Sequence, residues 1–229
     1  MRLGIMQPYF MPYIGYWQLM NAVDTYVVYD DVNYIKGGWV SRNNILMNSR
    51  SYMFCVTLNG ASPNKLFNEI TIRDDFVKFR KMLHSCYSHA PYYSDVKCIM
   101  DNIYDCEDRS LGKFMLNSFN EVLNYIGIKR NFVLSSTLKK DNSLRGSSKV
   151  IAICKELGAS KYYNAIGGQS LYDKKEFKDN GIELKFLKSE LVPYKQFKND
   201  FVAGLSIIDI MMFNSPEEIK MMLNKYELI

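Results

Sequence analysis

Two adjacent carboxylates, Asp30 and Asp31, directly follow the β-branched and aromatic segment TYVVY at residues 25–29. Carboxylates at the end of a strand can serve as a general base or hold the hydroxyl groups of a ligand. Because adjacent strand residues face opposite ways, at most one of the two is expected to enter a given site. A turn or capping role for these aspartates is the structural alternative.

The segment QPYFMPYIGY, residues 7–16, combines tyrosines with a glycine at the predicted start of a helix. Free amides and the positive end of the helix dipole suit an anion such as phosphate, and a glycine lets the backbone approach it. A proline-ordered turn with buried tyrosines is the alternative. The candidate binding residues are Gln7, Tyr9, Tyr13, Gly15 and Tyr16.

A second set of candidates lies in the loop VNYIKGGW and just beyond it. Arg42 can fork onto a phosphate or carboxylate, and Trp39 can stack on a ring. An ordinary surface arginine explains the same pattern. The candidates are Lys36, Trp39, Arg42 and Asn43.

The segment NAIGG places Asn164, Gly167 and Gly168 between a predicted strand and helix, with Tyr172 following. Two glycines there permit close approach of a phosphate, although Gly-Gly alone is a weak signal. The segment LRGSSK, residues 144–149, also suits an anion, but capping by Ser147 explains its serines equally well.

Several chemistries lose support from the sequence. There is no HExxH, GxSxG, Walker lysine loop or GxGxxG motif, and no metal site is predicted. The five cysteines are odd in number and contain no CxxC, which favours reduced thiols and a cytoplasmic protein. No run of about 18 apolar residues predicts a membrane span. A net charge of +5 favours anionic partners without naming one.

The elements that must position these residues form an α/β pattern. Strands are predicted at 2–6, 25–29, 131–136, 161–166 and 182–187, and helices at 15–22, 148–157, 171–180, 206–213 and 216–223. A mainly helical insertion is predicted at about 74–127, and a β-hairpin at 40–58 turning at Asn48–Ser49. This order predicts a single domain over residues 1–229 with an open, mostly parallel, Rossmann-like sheet. The candidate loops then meet beyond the carboxyl ends of the strands.

The segments QPYFMPYIGYWQLM and DTYVVYDDVNYIKGGWVSRNNI resemble the opening of WbqC-like proteins, and the resemblance continues to about residue 225. It implies a bacterial protein of O-antigen and lipopolysaccharide biosynthesis. The implied activity is transfer of an acyl or aminoacyl group, such as glycyl, onto the amine of a nucleotide-linked amino sugar. The sugar, the acyl donor and any cofactor stay open. An aminoacyl-tRNA donor is not favoured, because no basic track interleaved with aromatics is present.

A remoter similarity links PYIGYWQLM to the motif of HxGH-type nucleotidyltransferases. Tyr13 and Tyr16 stand where that superfamily has its two histidines, with Gly15 between them. A neutral tyrosine cannot supply a cation to a transferring phosphoryl group. Nucleotidyl or adenylate-forming chemistry is therefore the second hypothesis, and a non-catalytic nucleotide-sugar-binding or scaffold protein is the third.

The leading hypothesis assigns a role to each candidate. Asp30 or Asp31 serves as the base, or His84 if the helical insertion folds over the site. Arg42 and Lys36 pair with the diphosphate. Sugar hydroxyls are oriented by Gln7, Asn43 and Asn164. The rings of Tyr9, Tyr16 and Trp39 stack on the base or the sugar.

Overall fold

A six-stranded open sheet forms the centre of the computed structural model, which describes residues 1–198 and 200–229. In chain order the strands are β1 (Arg2–Met6), β2 (Thr25–Val28), β3 (Arg42–Met47), β4 (Arg50–Cys55), β5 (Leu58–Asn59), β6 (Thr71–Ile72), β7 (Asn131–Leu134), β8 (Lys161–Ala165), β9 (Glu183–Ser189) and β10 (Tyr226–Leu228). The central sheet has the order β10-β9-β8-β1-β2-β7, and β10 alone runs antiparallel to its neighbour.

Eight α-helices accompany the sheet within the described residues. They are α1 (Ile14–Ala22), α2 (Val77–Tyr87), α3 (Tyr93–Tyr104), α4 (Leu111–Ile126), α5 (Gly146–Glu156), α6 (Lys174–Asp179), α7 (Ile207–Phe213) and α8 (Pro216–Met222). The predicted open α/β fold with a mostly parallel sheet is confirmed. The stretch from 74 to 127 contains α2, α3 and α4, as the periodicity of its apolar residues indicated.

The two faces of the sheet are covered by separate sets of apolar side chains. Tyr26 and Val28 pack with α1 and α4, whereas Val27 packs with α5 and α6 on the other side. This division follows from the strand geometry, because successive side chains point to opposite faces. Both faces of β2 are therefore buried, which explains why its β-branched and aromatic residues do not alternate with exposed polar ones.

A β-hairpin formed by β3 and β4 lies outside the central sheet, with Arg42 opposite Cys55 in its register. Its turn residues, Asn48 and Ser49, have φ values of 49° and 62°. Two consecutive left-handed residues characterise the type I′ turn that matches the twist of a hairpin. The predicted hairpin and its turn position are thus both observed.

Some boundaries differ from those predicted. The helix expected at 171–180 begins only at Lys174, because the Asp173 side chain caps the Lys175 amide at 2.9 Å. The short strands β5, β6 and β10 were not predicted, since two or three residues are too few to show alternation. None of the helices in the described residues is long and apolar enough to cross a membrane.

Candidate functional site

The sheet has a topological switch point at β1. The chain continues from β1 to β2 on one side, while β8 lies on the other side of β1. In open parallel sheets, ligands bind in the crevice beyond the carboxyl ends of the two strands at such a point. A cavity of about 290 Å³ lies there. It brings together the predicted residues Gln7, Asn164, Gly167, Gly168 and Tyr172, and adds Tyr29.

Asn164 is a buried side chain of this cavity with one polar atom left over. Its Oδ1 accepts a hydrogen bond from the Ala165 amide at 2.8 Å. Its Nδ2 has no acceptor among the residues that the structure describes. A Cβ added to Gly168 would lie 2.4 Å from that Nδ2, whereas one added to Gly167 would meet no atom within 4 Å. Gly168 therefore makes room for the Asn164 amide, and Gly167 leaves open space.

Two phenols complete the polar lining of the cavity. Burial raises the pKa of Tyr29, and the nearby Asp31 carboxylate adds to the effect. Burial also raises the pKa of Tyr172, whose ring meets those of Tyr162 and Phe177 edge to face. Both phenols therefore stay protonated at neutral pH and act as hydrogen-bond donors rather than bases.

Asp30 is buried and bound by the turn that follows β7. Its carboxylate accepts hydrogen bonds from the Ser136 amide at 2.9 Å and the Ser136 hydroxyl at 2.7 Å. The Ser135 Oγ lies 3.0 Å from its Oδ1. Ser136 thus binds both oxygens of the carboxylate, which orients it firmly, and the single Ser135 hydroxyl proton is left for the closer Asp31 carboxylate.

Asp31 lies in a buried cluster with two cations. Lys140 Nζ is 2.7 Å and Lys149 Nζ 3.0 Å from its Oδ2, and the lysine side chains are 1% and 2% exposed. Burial by itself would raise the pKa of Asp31, but hydrogen bonds from Lys140, Ser135 and Lys149 outweigh it, so the pKa lies below its ordinary value. Asp31 is therefore ionised at neutral pH and engaged by its partners.

The expectation that the two aspartates face opposite ways is wrong. The Ser135 Oγ lies within 3.0 Å of Asp30 Oδ1 and 2.5 Å of Asp31 Oδ1, so the two carboxylates converge on it. The strand β2 already ends at Val28, and the alternation of side chains does not extend beyond a strand.

Lys140 and Lys149 were not predicted as site residues, although the segment LRGSSK contains Lys149. Only the fold reveals their burial. The alternative explanation of that segment is not observed, because the Ser147 hydroxyl donates to Glu176 Oε1 at 2.8 Å and α5 begins without a side-chain cap.

The start of α1 is closed by its own side chains. The Tyr16 hydroxyl donates to the Gln7 carbonyl at 2.5 Å, and its ring is buried. A Cβ on Gly15 would lie 2.5 Å from the Tyr13 ring. The space over Gly15 that the sequence assigned to a ligand is thus taken by Tyr13.

An aromatic and cationic surface lies beside this segment. The Arg42 guanidinium lies 5.1 Å from the centre of the Trp39 ring, which is 47% exposed. Burial raises the pKa of Tyr9, with a further contribution from Tyr13, and the nearby Arg42 opposes it. Lys36 is exposed on the same loop. Trp39 and Lys36 are therefore accessible to a planar or anionic group, whereas Tyr9 is half-buried and Arg42 also donates to the Gly37 carbonyl.

Two other candidates stand apart from these contacts. Asn43 is buried and donates to the Met11 carbonyl at 2.5 Å, so it holds the backbone in place. His84 is exposed on α2, with Nδ1 2.9 Å from the Tyr93 hydroxyl on α3. No contact joins His84 to Asp30 or Asp31 in the described part of the chain.

No group of three or more histidine, cysteine or acidic side chains is placed to hold a metal ion within the described residues. The five cysteines are free thiols. The site therefore consists of a largely apolar cavity with a few polar groups, a buried ion cluster and a neighbouring aromatic surface.

Together, the fold and the site define an open α/β protein with a cavity at its topological switch point. The chain belongs to the WbqC-like protein family, whose model matches residues 7–221. It is 24% identical over 219 residues to Rv1507c, an uncharacterised protein of Mycobacterium tuberculosis, with 93% of each chain covered. No solved structure matches the chain significantly.

Proposed function

We propose that the protein binds a nucleotide-linked amino sugar at the switch point and transfers an acyl or aminoacyl group, such as glycyl, to its amine. The observation that carries this proposal is the cavity itself. It joins amide, phenol and glycine groups from separate chain segments, and the Nδ2 of Asn164 has no acceptor there among the described residues. Such neutral donors and acceptors suit sugar hydroxyl groups.

The volume of about 290 Å³ lies at the lower end of ligand cavities, which suits one sugar ring. The nucleotide then extends along the chain segment that continues from Gln7. Tyr9 and Trp39 offer faces for stacking, and Arg42 and Lys36 supply cations for the diphosphate.

In the proposed reaction, the amine nitrogen attacks the carbonyl carbon of an activated acyl donor. A nitrogen–carbon bond forms, and the bond to the leaving group breaks with its electron pair. The leaving group accepts the proton released by the amine. The protonated phenols of Tyr29 and Tyr172 can donate to the developing oxyanion.

This scheme changes the roles first expected for the acidic residues. Asp30 is occupied by serine donors, and Asp31 is occupied by lysines. We therefore assign both carboxylates to positioning rather than proton transfer. Their task is to hold the turn after β7 and the two lysines at the carboxyl edge of the sheet.

One observation favours a second function, nucleotidyl or adenylyl transfer. Lys140 and Lys149 place two cations beyond the carboxyl ends of β2 and β7, whereas Tyr13 and Tyr16 at the start of α1 supply none; because both lysines pair with Asp31, a phosphate must compete with that carboxylate for them. Release of pyrophosphate from a nucleoside triphosphate with magnesium would support this second function, provided that Lys149→Met reduces the rate.

Binding is tested by calorimetry with UDP-, GDP- and dTDP-linked amino sugars. Asn164→Ala should weaken binding about tenfold through loss of a hydrogen bond. Gly167→Ala should weaken binding without unfolding the protein, because its Cβ enters open space. Asn131→Ala is the matched control, since Asn131 lies at the opposite end of the parallel strands. Equal losses in all three variants, or no binding by the wild type, would contradict the site.

Transfer is tested by mass spectrometry of the sugar after incubation with acyl-CoA, with amino acid plus ATP, or with aminoacyl-tRNA. A mass increase that depends on Asn164 supports the reaction. If the sugar binds but gains no mass with any donor, transfer from these donors is rejected. The protein would then act as a binding protein for the sugar.

A further inference from the structure

A second cavity, of about 320 Å³, lies between α2 and α3. Its floor is apolar and consists of side chains from three helices, α2, α3 and α7. These are Leu83, Met100, Tyr104 and Met212, each no more than 4% exposed. None of the residues that line this groove lines the switch-point cavity.

The rim of the groove is basic, but part of that charge is neutralised. Arg80 pairs with Asp101 and Asp105, and Lys97 Nζ lies 2.7 Å from Asp101. These groups satisfy one another on one side of the groove. The remaining cationic group of the rim is Lys81.

Lys81 makes no ion pair or hydrogen bond with any residue that the structure describes. His84 uses its Nδ1 with the Tyr93 hydroxyl at 2.9 Å, and its Nε2 has no partner in that same part of the chain. The two residues are three apart on α2, so their side chains lie on the same face of the helix. A cation and an imidazole edge therefore stand open beside a buried apolar floor.

We propose that this groove binds a single-chain amphiphile with an anionic head group, such as a medium-chain carboxylate. The hydrocarbon chain covers Leu83, Met100 and Met212, and removal of its CH₂ groups from water stabilises the complex. The head group pairs with Lys81 and accepts a hydrogen bond from His84. A cationic amphiphile of the same length cannot form this ion pair, because its head group and Lys81 are both positively charged. The proposal stands independently of the transfer reaction above.

Octanoate is the probe, and the readout is the NMR spectrum of the protein with ¹³C-labelled methionine methyl groups. Signals of Met100 and Met212 are assigned with Met100→Leu and Met212→Leu variants. Octanoate should shift both signals in a saturable way and leave Met20, which lies in α1, unchanged. Octyltrimethylammonium should bind at least about tenfold more weakly, since its charge meets Lys81 unfavourably.

Lys81→Glu isolates the charge, because the side chain is exposed and its replacement leaves the floor intact. It should weaken octanoate binding about tenfold. Lys175→Glu is the matched control, because Lys175 is an exposed helical lysine on α6, away from the groove, and it should leave affinity unchanged. Absence of shifts at Met100 and Met212, equal binding of the ammonium compound, or equal effects of the two variants would each overturn the proposal.

Discussion

Asp31 lies between two lysine side chains that are almost completely buried. Removing a carboxylate from such a cluster leaves cations without a counter-charge in a poorly hydrated environment. The cost is therefore dominated by the desolvation of the remaining lysines rather than by the ion pairs themselves. This makes Asp31 a sensitive position for stability as well as for the site.

We expect Asp31→Asn to lower the free energy of unfolding by about 3–5 kcal/mol, measured by urea denaturation at pH 7. Asp24→Asn is the control, since Asp24 pairs with Arg2 at the surface and its removal should cost no more than about 1 kcal/mol. Similar small losses in the two variants would show that Lys140 and Lys149 find other partners. Adding Lys140→Met to Asp31→Asn should recover part of the loss.

Asp209 is a third buried carboxylate, and no cation pairs with it among the described residues. It accepts hydrogen bonds from the hydroxyls of Tyr87 at 2.7 Å and Tyr194 at 2.6 Å, and from Gln196 Nε2 at 2.6 Å. Burial raises its pKa above the ordinary value of 3.8, although these three donors act in the opposite direction. Proton uptake by Asp209 is thus easier in the folded chain than in the unfolded chain.

This raised pKa predicts the sign of a pH effect. As pH falls through the folded pKa towards 3.8, the wild type should gain stability relative to Asp209→Asn, because only the folded state binds the extra proton. The gain should be lost again as pH rises through the folded pKa. Urea unfolding of both proteins between pH 4 and 8 measures the difference. A difference that stays constant over this range would reject the assignment.

At the scale of elements, α1 begins with an unusual contact. The Tyr13 ring lies over Gly15, so that a Cβ there would approach its hydroxyl oxygen to 2.7 Å. Nothing else about a first-turn helical position disfavours alanine. Gly15 is therefore required by the Tyr13 side chain rather than by the backbone.

A double-mutant cycle tests this contact. Gly15→Ala should destabilise the protein when Tyr13 is present, because the ring must move. In the Tyr13→Ala background, Gly15→Ala should instead stabilise it by up to about 1 kcal/mol through helix propensity. The measurement is chemical denaturation of the four proteins. Additive effects of the two substitutions would show that the ring and the glycine are not coupled.

The elements were predictable where a local pattern was strong. The run RLGIM before Gln-Pro identified β1, and the apolar periodicity between 74 and 127 identified a mainly helical stretch without the bounds of its three helices. The strand β10 was not predicted, because its three residues form a strand only through pairing with β9. The start of α6 was also missed, since a capping Asp173 and a turn residue look alike in sequence.

At the scale of the whole molecule, the five free cysteines differ mainly in their surroundings. Cys55 and Cys98 are exposed, Cys86 and Cys106 are half-buried, and Cys154 is buried. Burial raises the pKa of the Cys154 thiol to about 12. Since the thiolate is the reactive form, Cys154 is doubly protected in the folded protein.

Thiol labelling should follow this order. Iodoacetamide at pH 8 should modify Cys55 and Cys98 first, whereas Cys154 should react only at the rate of unfolding. Peptide mass spectrometry over time, with a fully denatured sample as control, measures each site. Modification of Cys154 as fast as Cys98 would mean that the face of the sheet packed by α5 opens far more readily than its burial indicates.

The candidate site was predictable in part for a physical reason. Parallel strands place their carboxyl ends at one edge, so Gln7 and Asn164 could be expected to meet once β1 and β8 were identified. Lys140 could not be selected among the many lysines, because burial depends on how the turn after β7 folds back. The sequence around His84 contains no signal that places this residue at the groove between α2 and α3 rather than at the switch-point cavity.

By itself, the sequence determined the α/β class, the parallel arrangement, the helical stretch between 74 and 127 and the hairpin, since these depend on local periodicity and turn chemistry. The tertiary structure alone decided that Asp30 and Asp31 converge, that Asp31 holds two buried lysines and that Tyr13 covers Gly15. Such contacts join residues far apart in the chain, or depend on side-chain directions beyond the end of a strand, and no local pattern records either.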